Sequence, residues 1–439
     1  MLASELSGLY AVLIVVCLLG LLALGVWIGL ALVGAALLAM LLFSVRVPGD
    51  AMATTAFASV TGWTLTALPL FIWMGEVLSR SRISEYMFRG LAPWMTLLPG
   101  RLLQVNVAAS MVFAAISGSS AATCATVGKI TIPELKKRGY PENMMIGSLA
   151  GAGTLGLLIP PSIIMIVYAV AADVSINKLF AAGVVPGFVL GGLFMLYNAG
   201  WSLANPGKIP SDDMRMTFGA RLRESIALVP VLMLIGVVLG SIYAGIATAT
   251  ESASIGVVGA FVLAAFQGGV NREFFVRTVM GAMRTTTMIM LIVVGASFLG
   301  LAMAFSGMPA LLAQWVGTFA LTPGQLLVAL AVAYIVLGCL LDGVSMVLLT
   351  MTVVLPMVTA AKIDLLWFGI FIVIVVEMGQ ITPPVGFNLF VLQNMLKRDI
   401  GVVSRAAMPY FLIMVLMLLI LWWWPGLVSW LPSQMRNAQ

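Results

Sequence analysis

The sequence contains no histidine, and only 9% of its 439 residues are charged. Without histidine there is no imidazole base, no imidazole metal ligand and no histidine proton relay. The three cysteines, Cys17, Cys124 and Cys339, lie far apart in apolar surroundings and form no C-x-x-C pair. Their odd number and wide spacing support neither a zinc site nor a disulfide framework, so we interpret them as small buried hydrophobic residues.

Apolar residues take the place of the missing charge. They make up 62% of the chain, against about 45–50% in an average soluble domain, and the mean hydropathy is +1.13. Apolar runs of about 18–25 residues recur, each long enough to cross a hydrocarbon core roughly 30 Å thick. Strand-like alternation is lacking, so the sequence predicts an all-α, polytopic membrane protein.

Hydropathy predicts ten membrane spans. Two of them share residues 8–44 and break near Gly25, and the others cover 63–79, 142–170, 178–200, 225–242, 246–267, 285–305, 365–395 and 409–430. Two further apolar segments, 101–137 and 323–361, are interrupted by short polar tips, which predicts re-entrant helical hairpins. Residues 80–101 and 308–320 predict interfacial arm helices, and 271–284 a connection.

The basic residues indicate the orientation, because Lys and Arg concentrate on the cytoplasmic side of membrane proteins. With the N-terminus outside, both termini lie outside and 17 of the 22 basic residues fall inside. Those inside are Arg80, Arg82, Arg89, Arg101, Lys136, Lys137, Arg138, Lys208, Arg215, Arg221, Arg223, Arg272, Arg277, Arg284, Lys397, Arg398 and Arg405. The net charge of +6 therefore indicates cytoplasmic loops and not nucleic-acid binding.

The two halves of the chain repeat one pattern. Ser117–Ser120 precedes Pro160-Pro161, and Asp342–Ser345 precedes Pro383-Pro384; the offset is 225 residues for the tips and 223 for the prolines. Basic residues flank the first hairpin but not the second, so the hairpins enter from opposite faces and the repeat is inverted. The predicted divisions are a first repeat (1–204), a cytoplasmic linker (205–224) and a second repeat (225–439).

A Pro-Pro pair inside a span breaks the helix and frees backbone carbonyl groups, which are costly in hydrocarbon unless they line a cavity or bind an ion. Inverted repeats with helices broken near the midplane are typical of secondary transporters. Because carbonyl-rich breaks suit a hard, unprotonated cation, we expect two Na⁺ sites, formed by Ser117, Gly118, Gly156 and Ile159 and by Asp342, Gly343, Gly379 and Thr382. Half-helix N-termini suit an anion. The expected substrate site is lined by Ser119, Ser120, Ser162, Ser345, Pro384 and Asn388.

Ionisable residues within apolar spans are functional candidates, because each costs about 2.5–3.5 kcal/mol at a helix centre. Asp342 is the strongest, since it sits on a hairpin tip, and Glu377 lies shortly before Pro383. Glu76 precedes Arg80 by four residues, which favours an interfacial ion pair. Glu251 lies among hydroxyl residues that favour a structural network. An intramembrane aspartyl protease is a weak alternative, because Asp342 is the only deep aspartate.

Five segments resemble the large membrane subunit of tripartite ATP-independent periplasmic (TRAP) transporters. They are Ser117–Thr123, Arg138–Pro141, Gly156–Ser162, Gly245–Ser252 and Gly379–Gly386. The resemblance covers nearly the whole chain. It departs from the family pattern at residue 249, an alanine where members usually carry proline between two threonines.

This resemblance implies an elevator-type ion-transporter-like fold and a transporter, not an enzyme, in the bacterial inner membrane. It implies Na⁺-driven uptake of an organic acid, such as a dicarboxylate or a sialic acid, without ATP or a cofactor. The implied partners are a periplasmic substrate-binding protein and a small four-span membrane subunit, which we expect on a separate polypeptide because the first span begins near residue 8. The alternative is a stand-alone sodium:dicarboxylate or divalent-anion symporter with similar hairpins.

Overall fold

The computed structural model describes residues 13–14, 16–43, 46–210, 216–305, 321–339, 341–384 and 386–435, and these residues form helices and no strand. Residues 16–23 are helical and precede α1. The helices of the first half are α1 (Ile28–Phe43), α2 (Pro48–Val60), α3 (Ala67–Arg80), α4 (Ile83–Met95), α5 (Leu102–Ser117), α6 (Ser120–Lys137), α7 (Glu142–Leu158), α8 (Ile163–Ala171) and α9 (Ile176–Ala204). Those of the second half are α10 (Phe218–Ser225), α11 (Val229–Tyr243), α12 (Ala249–Phe266), α13 (Arg272–Phe305), α14 (Pro323–Gly338), α15 (Gly343–Ala360), α16 (Leu365–Gln380), α17 (Phe387–Leu396), α18 (Ile400–Trp423) and α19 (Gly426–Gln434).

Both expected hairpins form as pairs of helices joined by short polar turns. In the first, α5 and α6 pack together around a turn at Gly118 and Ser119. In the second, α14 and α15 are joined through residues 339–342, of which residue 340 lies outside the described residues. The polar tips therefore separate two helices in each case, as the interrupted apolar runs predict.

Both Pro-Pro pairs break a helix. The axes of α7 and α8 differ by 42° across Pro160-Pro161, and residues 381–386 separate α16 from α17 around Pro383-Pro384. The peptide bond between the prolines is cis in both breaks. The structure thus has a helix break at each Pro-Pro pair, within 142–170 and 365–395.

Some element bounds differ from the expectation. The connection predicted at 271–284 is wrong, because Arg272–Phe305 is one continuous helix of 34 residues whose charged first turns are exposed. A helix also forms at Pro48–Val60, between the spans predicted at 8–44 and 63–79. The last span begins at Ile400, nine residues earlier than predicted. The length of the apolar runs and the positions of the charges do not locate these helix ends, because an exposed helical turn of α13 or α18 carries basic residues as readily as a loop does.

The number of spans stays a prediction. By length and composition, six helices in the described ranges can cross a membrane, or up to eight if each of two bent pairs counts as one span. The turn at Gly25, where φ is +78°, separates the first two predicted spans. The predicted arm segment 308–320 lies outside the described residues.

The helices form a central group and a peripheral group. In the centre, α5 to α9 pack with α14 to α18, and at the periphery α1, α2, α3, α12 and α13 contact one another. Small residues permit the closest central contacts: Gly147 and Gly151 on α7 lie directly against Tyr410 on α18. The centre therefore contains both hairpins and both broken helices.

The boundary between the groups is apolar. Helix α13 meets α15 there, and a cavity of about 210 Å³ lies between them and α8. The three walls of this cavity include Val293 of α13, Leu348 of α15 and Val167 of α8.

The expected interfacial helix is α4, and it fastens the segment that follows α9. Arg89 pairs with Glu224 at 3.1 Å, and the indole N–H of Trp94 donates to the hydroxyl of Ser225. Helical structure consequently begins at Phe218, inside the expected linker 205–224, while residues 211–215 lie outside the described residues.

Two interpretations of ionisable residues are confirmed. Arg80 donates to Glu76 at 2.7 Å as an i,i+4 pair. Glu251 closes a capping box with Thr248 at the start of α12, accepting from its backbone N–H at 2.8 Å. Both carboxylates therefore have local structural partners.

The contact between α14 and α16 generates the first prediction. A methyl group added at Gly338 meets the Cα atom of Gly379 at 2.8 Å, whereas one added at Gly236 on α11 has no atom within 4 Å. We expect Gly338→Ala to destabilise the protein by about 1–3 kcal/mol through overpacking. Gly236→Ala, the control, should be neutral or stabilising by about 0.5–1 kcal/mol. Thermal unfolding in detergent measures both, and equal melting temperatures for the two variants would contradict the close backbone contact between Gly338 and Gly379.

Candidate functional site

The tip of the first hairpin is shaped by a left-handed glycine. Gly118, with φ +57°, ends α5, and Ser119 caps α6 by accepting from the backbone N–H of Ala122 at 3.4 Å. The hydroxyl groups of Ser117 and Thr123 lie 2.8 Å apart behind the turn. Glycine suits this position because other residues adopt positive φ only at a cost.

This tip lies on the first helix break. The carbonyl oxygen of Gly118 accepts from the N–H of Ile163 at 3.3 Å, and a Cβ atom at Gly118 would lie 2.7 Å from the Pro161 carbonyl oxygen. A Cβ atom at Gly156, one turn before the break, would lie 2.6 Å from the carbonyl oxygen of Ser119. Ser162 caps α8 and is fully buried. Backbone oxygens of the tip and of the break thus lie side by side.

The tip of the second hairpin is built differently. Asp342 is the N-cap of α15, where its carboxylate accepts from the Ser345 N–H at 3.2 Å and from the Ser345 hydroxyl. Gly343 is the first residue of that helix and does not end the preceding one. Although Gly118 and Gly343 match in the sequence repeat, only Gly118 has a positive φ.

Gly343 brings the second tip against both halves of the chain. A Cβ atom there would lie 2.6 Å from Ile164 on α8 and 2.8 Å from the Gln380 amide on α16. The thiol of Cys339, also in this turn, lies 3.2 Å from the Pro383 carbonyl oxygen. The second tip therefore contacts the first broken helix as well as its own.

The two breaks differ in exposure. Residues from Ile159 to Ile163 are all buried, whereas Pro383 and Pro384 are exposed and Thr382 is half-buried. The Thr382 hydroxyl donates to the Met378 carbonyl oxygen at 2.6 Å, so it closes the last turn of α16. The second break is consequently the more accessible of the two.

Helix N-termini pair across the two halves. The start of α6, from the first hairpin, contacts the start of α17, from the second broken helix, through Ser120 and Asn388. The start of α15, from the second hairpin, contacts the start of α8, from the first broken helix, through Gly343 and Ile164. Each pair aims two positive helix ends at one region of the core, which favours negative charge or electron-rich oxygen there.

A buried carboxyl group lies at the first of these pairs. The Ser120 hydroxyl donates to Glu377 Oε2 at 2.9 Å, and the Asn388 amide donates to the Ser120 oxygen. Glu377 is 1% exposed and Asn388 is fully buried. The sequence marked Glu377 as an intramembrane acid but did not assign it to a site, because a helical position alone does not tell which neighbour the side chain faces.

The expected site residues form three adjacent groups. The group at the first tip contains Ser117, Gly118, Ser119 and Gly156, with Ser162 behind it. The group at the second tip contains Asp342, Gly343, Ser345 and Gly379, with Thr382 and Pro384 on its break. The third group, Ser120 and Asn388, joins the halves. The side chain of Ile159 packs on Gly187 of α9, so only its backbone faces the break. The arrangement supplies backbone and side-chain oxygens, which suit a hard cation. The described residues contain no group of three or more His, Cys, Asp or Glu side chains suited to a transition metal.

The family model of the DctM component of tripartite ATP-independent periplasmic transporters matches residues 15–427. The chain belongs to this family. It is 33% identical over 383 residues to the C4-dicarboxylate TRAP transporter large permease protein of Pseudomonas aeruginosa, covering 87% of this chain and 89% of that protein. It is 30% identical over 419 residues to the 2,3-diketo-L-gulonate TRAP transporter large permease protein of Escherichia coli, covering 94% and 96%.

Two further comparisons concern another relative and a solved structure. The isethionate TRAP transporter permease DctMQ of Oleidesulfovibrio alaskensis is 31% identical over 388 residues, covering 87% of this chain and 60% of that protein. The crystal structure of the Alcanivorax borkumensis YdaH transporter matches with a TM-score of 0.58 at 16% identity, covering 85% and 87% of the two chains. The latter shows similarity of fold alone. The relatives are named as transport permeases, in agreement with the expectation that the chain is not an enzyme.

The contact of Ser120 with Glu377 generates a second prediction. Ser120→Ala removes the only donor to a buried carboxyl group among the described residues, so we expect a loss of about 1–3 kcal/mol of stability. Ser254→Ala is the control, because the Ser254 hydroxyl is exposed and bonds only within α12; its effect should stay within about 0.5 kcal/mol. Chemical denaturation in mixed micelles measures the stability of both variants. An unchanged stability of Ser120→Ala would show that Ser120 does not make this contact.

Proposed function

We propose that the chain is the membrane permease of a Na⁺-driven system that imports a small organic acid across a bacterial inner membrane. The family assignment is the reason to prefer a three-component system over a stand-alone symporter. In this proposal a periplasmic binding protein delivers the substrate, a small four-span membrane subunit completes the permease, and membrane lipids surround it. Relatives named for C4-dicarboxylate and 2,3-diketo-L-gulonate transport favour carboxylate substrates.

The observation that carries the proposal is the convergence of both hairpin tips and both helix breaks in the centre of the protein. Four helices, α6, α8, α15 and α17, begin there, and they meet in two pairs. Helix N-termini bind carboxylate groups through free N–H groups, while freed carbonyl oxygens bind Na⁺. The same small region therefore offers both kinds of partner that coupled transport requires.

We infer that the substrate binds at the open side of this region. Ser119 is half-buried and Pro384 is exposed, whereas Ser162 and Ser345 lie behind them. No ion pair of Lys or Arg with a residue of either tip occurs among the described residues. The charge of a substrate carboxylate is then balanced by helix N-termini, hydroxyl donors and bound Na⁺.

Sodium is proposed to bind beside each tip. In the first half the backbone oxygens of Ser117, Gly118, Gly156 and Ile159 supply one site. In the second half Asp342 adds a carboxylate to Gly343, Gly379 and Thr382. Asp342 faces a cation more favourably than it faces an anionic substrate, so we assign it to Na⁺ and not to the organic acid.

We infer an elevator motion in which the central group of helices moves against the peripheral one. The two hairpins and the two broken helices all belong to the central group, so the complete site would move as one unit. The aliphatic boundary formed by α13, α8 and α15, with its cavity, supports such sliding. The first hairpin contacts the second broken helix, and the second hairpin contacts the first broken helix, and these matching contacts support an inverted repeat. The symmetry of such a repeat interconverts inward-facing and outward-facing arrangements.

Uptake by proteoliposomes tests this function. The chain is reconstituted with its small subunit, and uptake of a labelled dicarboxylate is followed with and without a binding protein and an inward Na⁺ gradient. We expect uptake only when both are present. Equal uptake in choline with only a proton gradient would overturn the sodium coupling.

Two substitutions separate the ion site from the substrate site. Asp342→Asn keeps the helix cap, because asparagine caps as well as aspartate, and should weaken the Na⁺ dependence more than substrate selectivity. Ser162→Ala should instead raise the substrate concentration for half-maximal uptake at saturating Na⁺. Unchanged Na⁺ and substrate dependence in both variants would exclude a site at the hairpin tips.

A further inference from the structure

The buried carboxyl group of Glu377 has an unsatisfied oxygen. Its Oε2 atom accepts from Ser120, but its Oε1 atom has no hydrogen-bond partner among the described residues. The Oδ1 atom of Asn388 is likewise buried and without a partner. Native proteins leave few buried polar atoms unpaired, so two in one cluster call for a bound ion, a proton shared between the two oxygens or an ordered water.

With Glu377 ionised, the free groups of the cluster are acceptors and not donors. The Asn388 amide hydrogen is directed to Ser120, and the Ser120 hydroxyl hydrogen is directed to Glu377. What remains is a carboxylate oxygen and an amide oxygen, with the second carboxylate oxygen and the serine oxygen beside them. Four oxygens from three helices, α6, α16 and α17, attract a cation and repel a substrate carboxylate.

No basic side chain balances Glu377. The chain has no histidine, and among the described residues no Lys or Arg pairs with this carboxyl group. Cys124, one turn after Ser120 on α6, is fully buried and offers no positive charge. An unpaired buried carboxylate is strongly unfavourable, so Glu377 requires either a bound cation or a proton.

The acid is confined to one half of the repeat. The position that corresponds to Glu377 by the 223-residue proline offset is Thr154, which is 1% exposed. The Thr154 hydroxyl donates to the Gly151 carbonyl oxygen at 2.6 Å, so it is satisfied within its own helix. The broken helix therefore folds without an acid at this position, which argues that Glu377 serves a purpose other than folding.

We propose that Glu377, Asn388 and Ser120 form a third Na⁺ site that joins the first hairpin to the second broken helix. This proposal rests on the sodium coupling proposed above. It assigns Asn388 and Ser120 to an ion site and no longer to the substrate site. The ion would be held by Glu377 Oε1 and Asn388 Oδ1, supported by Glu377 Oε2 and the serine oxygen. Its binding would lock α6 against α17 and so fix one pair of helix N-termini.

Counting bound sodium tests the proposal. The full-length chain, co-purified with its small subunit, is titrated with radiolabelled Na⁺, and the sodium bound per chain is measured at saturation. Glu377→Gln, which keeps the size and removes the charge, should bind one Na⁺ fewer than the unsubstituted protein. Glu251→Gln is the matched control, because glutamine preserves the capping box with Thr248; it should bind the full number.

Two further variants guard against a folding defect in Glu377→Gln. Glu377→Asp keeps the carboxylate and should retain the full number of sites. Asn388→Ala keeps the acid and should weaken the affinity of that one site roughly 10- to 100-fold. Thermal unfolding with and without Na⁺ provides a second readout, in which Glu377→Gln should show a smaller stabilisation by Na⁺ than Glu251→Gln.

The outcomes separate this proposal from the coupling mechanism. Equal sodium counts for Glu377→Gln and the unsubstituted protein overturn the third site and leave the two sites at the tips standing. Loss of one ion in Glu377→Gln, with no change in Asp342→Asn, supports the third site and removes the one at Asp342. If the unsubstituted protein binds no Na⁺, both proposals fail. A carboxylic acid infrared band that persists in saturating Na⁺ and disappears in Glu377→Gln shows that a proton occupies the site, which overturns the proposal.

Discussion

Backbone groups released inside a membrane need partners, and the architecture of this protein follows from that requirement. Each Pro-Pro pair interrupts a helix and leaves N–H and carbonyl groups without intrahelical bonds. The hairpin tips lie on these breaks, as the bond from Ile163 to the Gly118 carbonyl oxygen shows. Glycines at the contacts, such as Gly156 and Gly343, let backbone approach backbone. The groups that stabilise the breaks are thus also the groups that we propose to bind ions and substrate.

Each hairpin contacts the broken helix of the other half, and these crossed contacts make the centre a single cooperative unit. The first hairpin contacts the second broken helix through Ser120, and the second hairpin contacts the first broken helix through Gly343. Neither half can complete its contacts alone, so a displacement at one tip is transmitted to the opposite break. This linkage gives the proposed coupling of ion binding to substrate binding a physical basis, because a ligand that orders one tip also orders the break opposite it.

The two halves are nevertheless not equivalent, and their differences define separate roles. The first break is buried, while Pro383 and Pro384 at the second are exposed. Asp342 caps a helix where the first half has a serine, and Glu377 stands where the first half has Thr154. Both acids lie in the second repeat, so negative charge concentrates on one side of a nearly symmetric frame. Cations are therefore favoured on that side.

The sequence alone determined the helical membrane class, the two hairpins, the two breaks and most residues at the tips, because apolar runs, polar interruptions and Pro-Pro pairs act locally. It also predicted the Glu76–Arg80 pair, whose members lie one helical turn apart. Only the tertiary structure decided that Ser120 reaches Glu377 across 257 residues of sequence, and that Gly118 and Gly343 occupy different positions in their turns. Such contacts depend on how helices pack, and the period of a helix specifies which face a residue shares but not which neighbour covers that face.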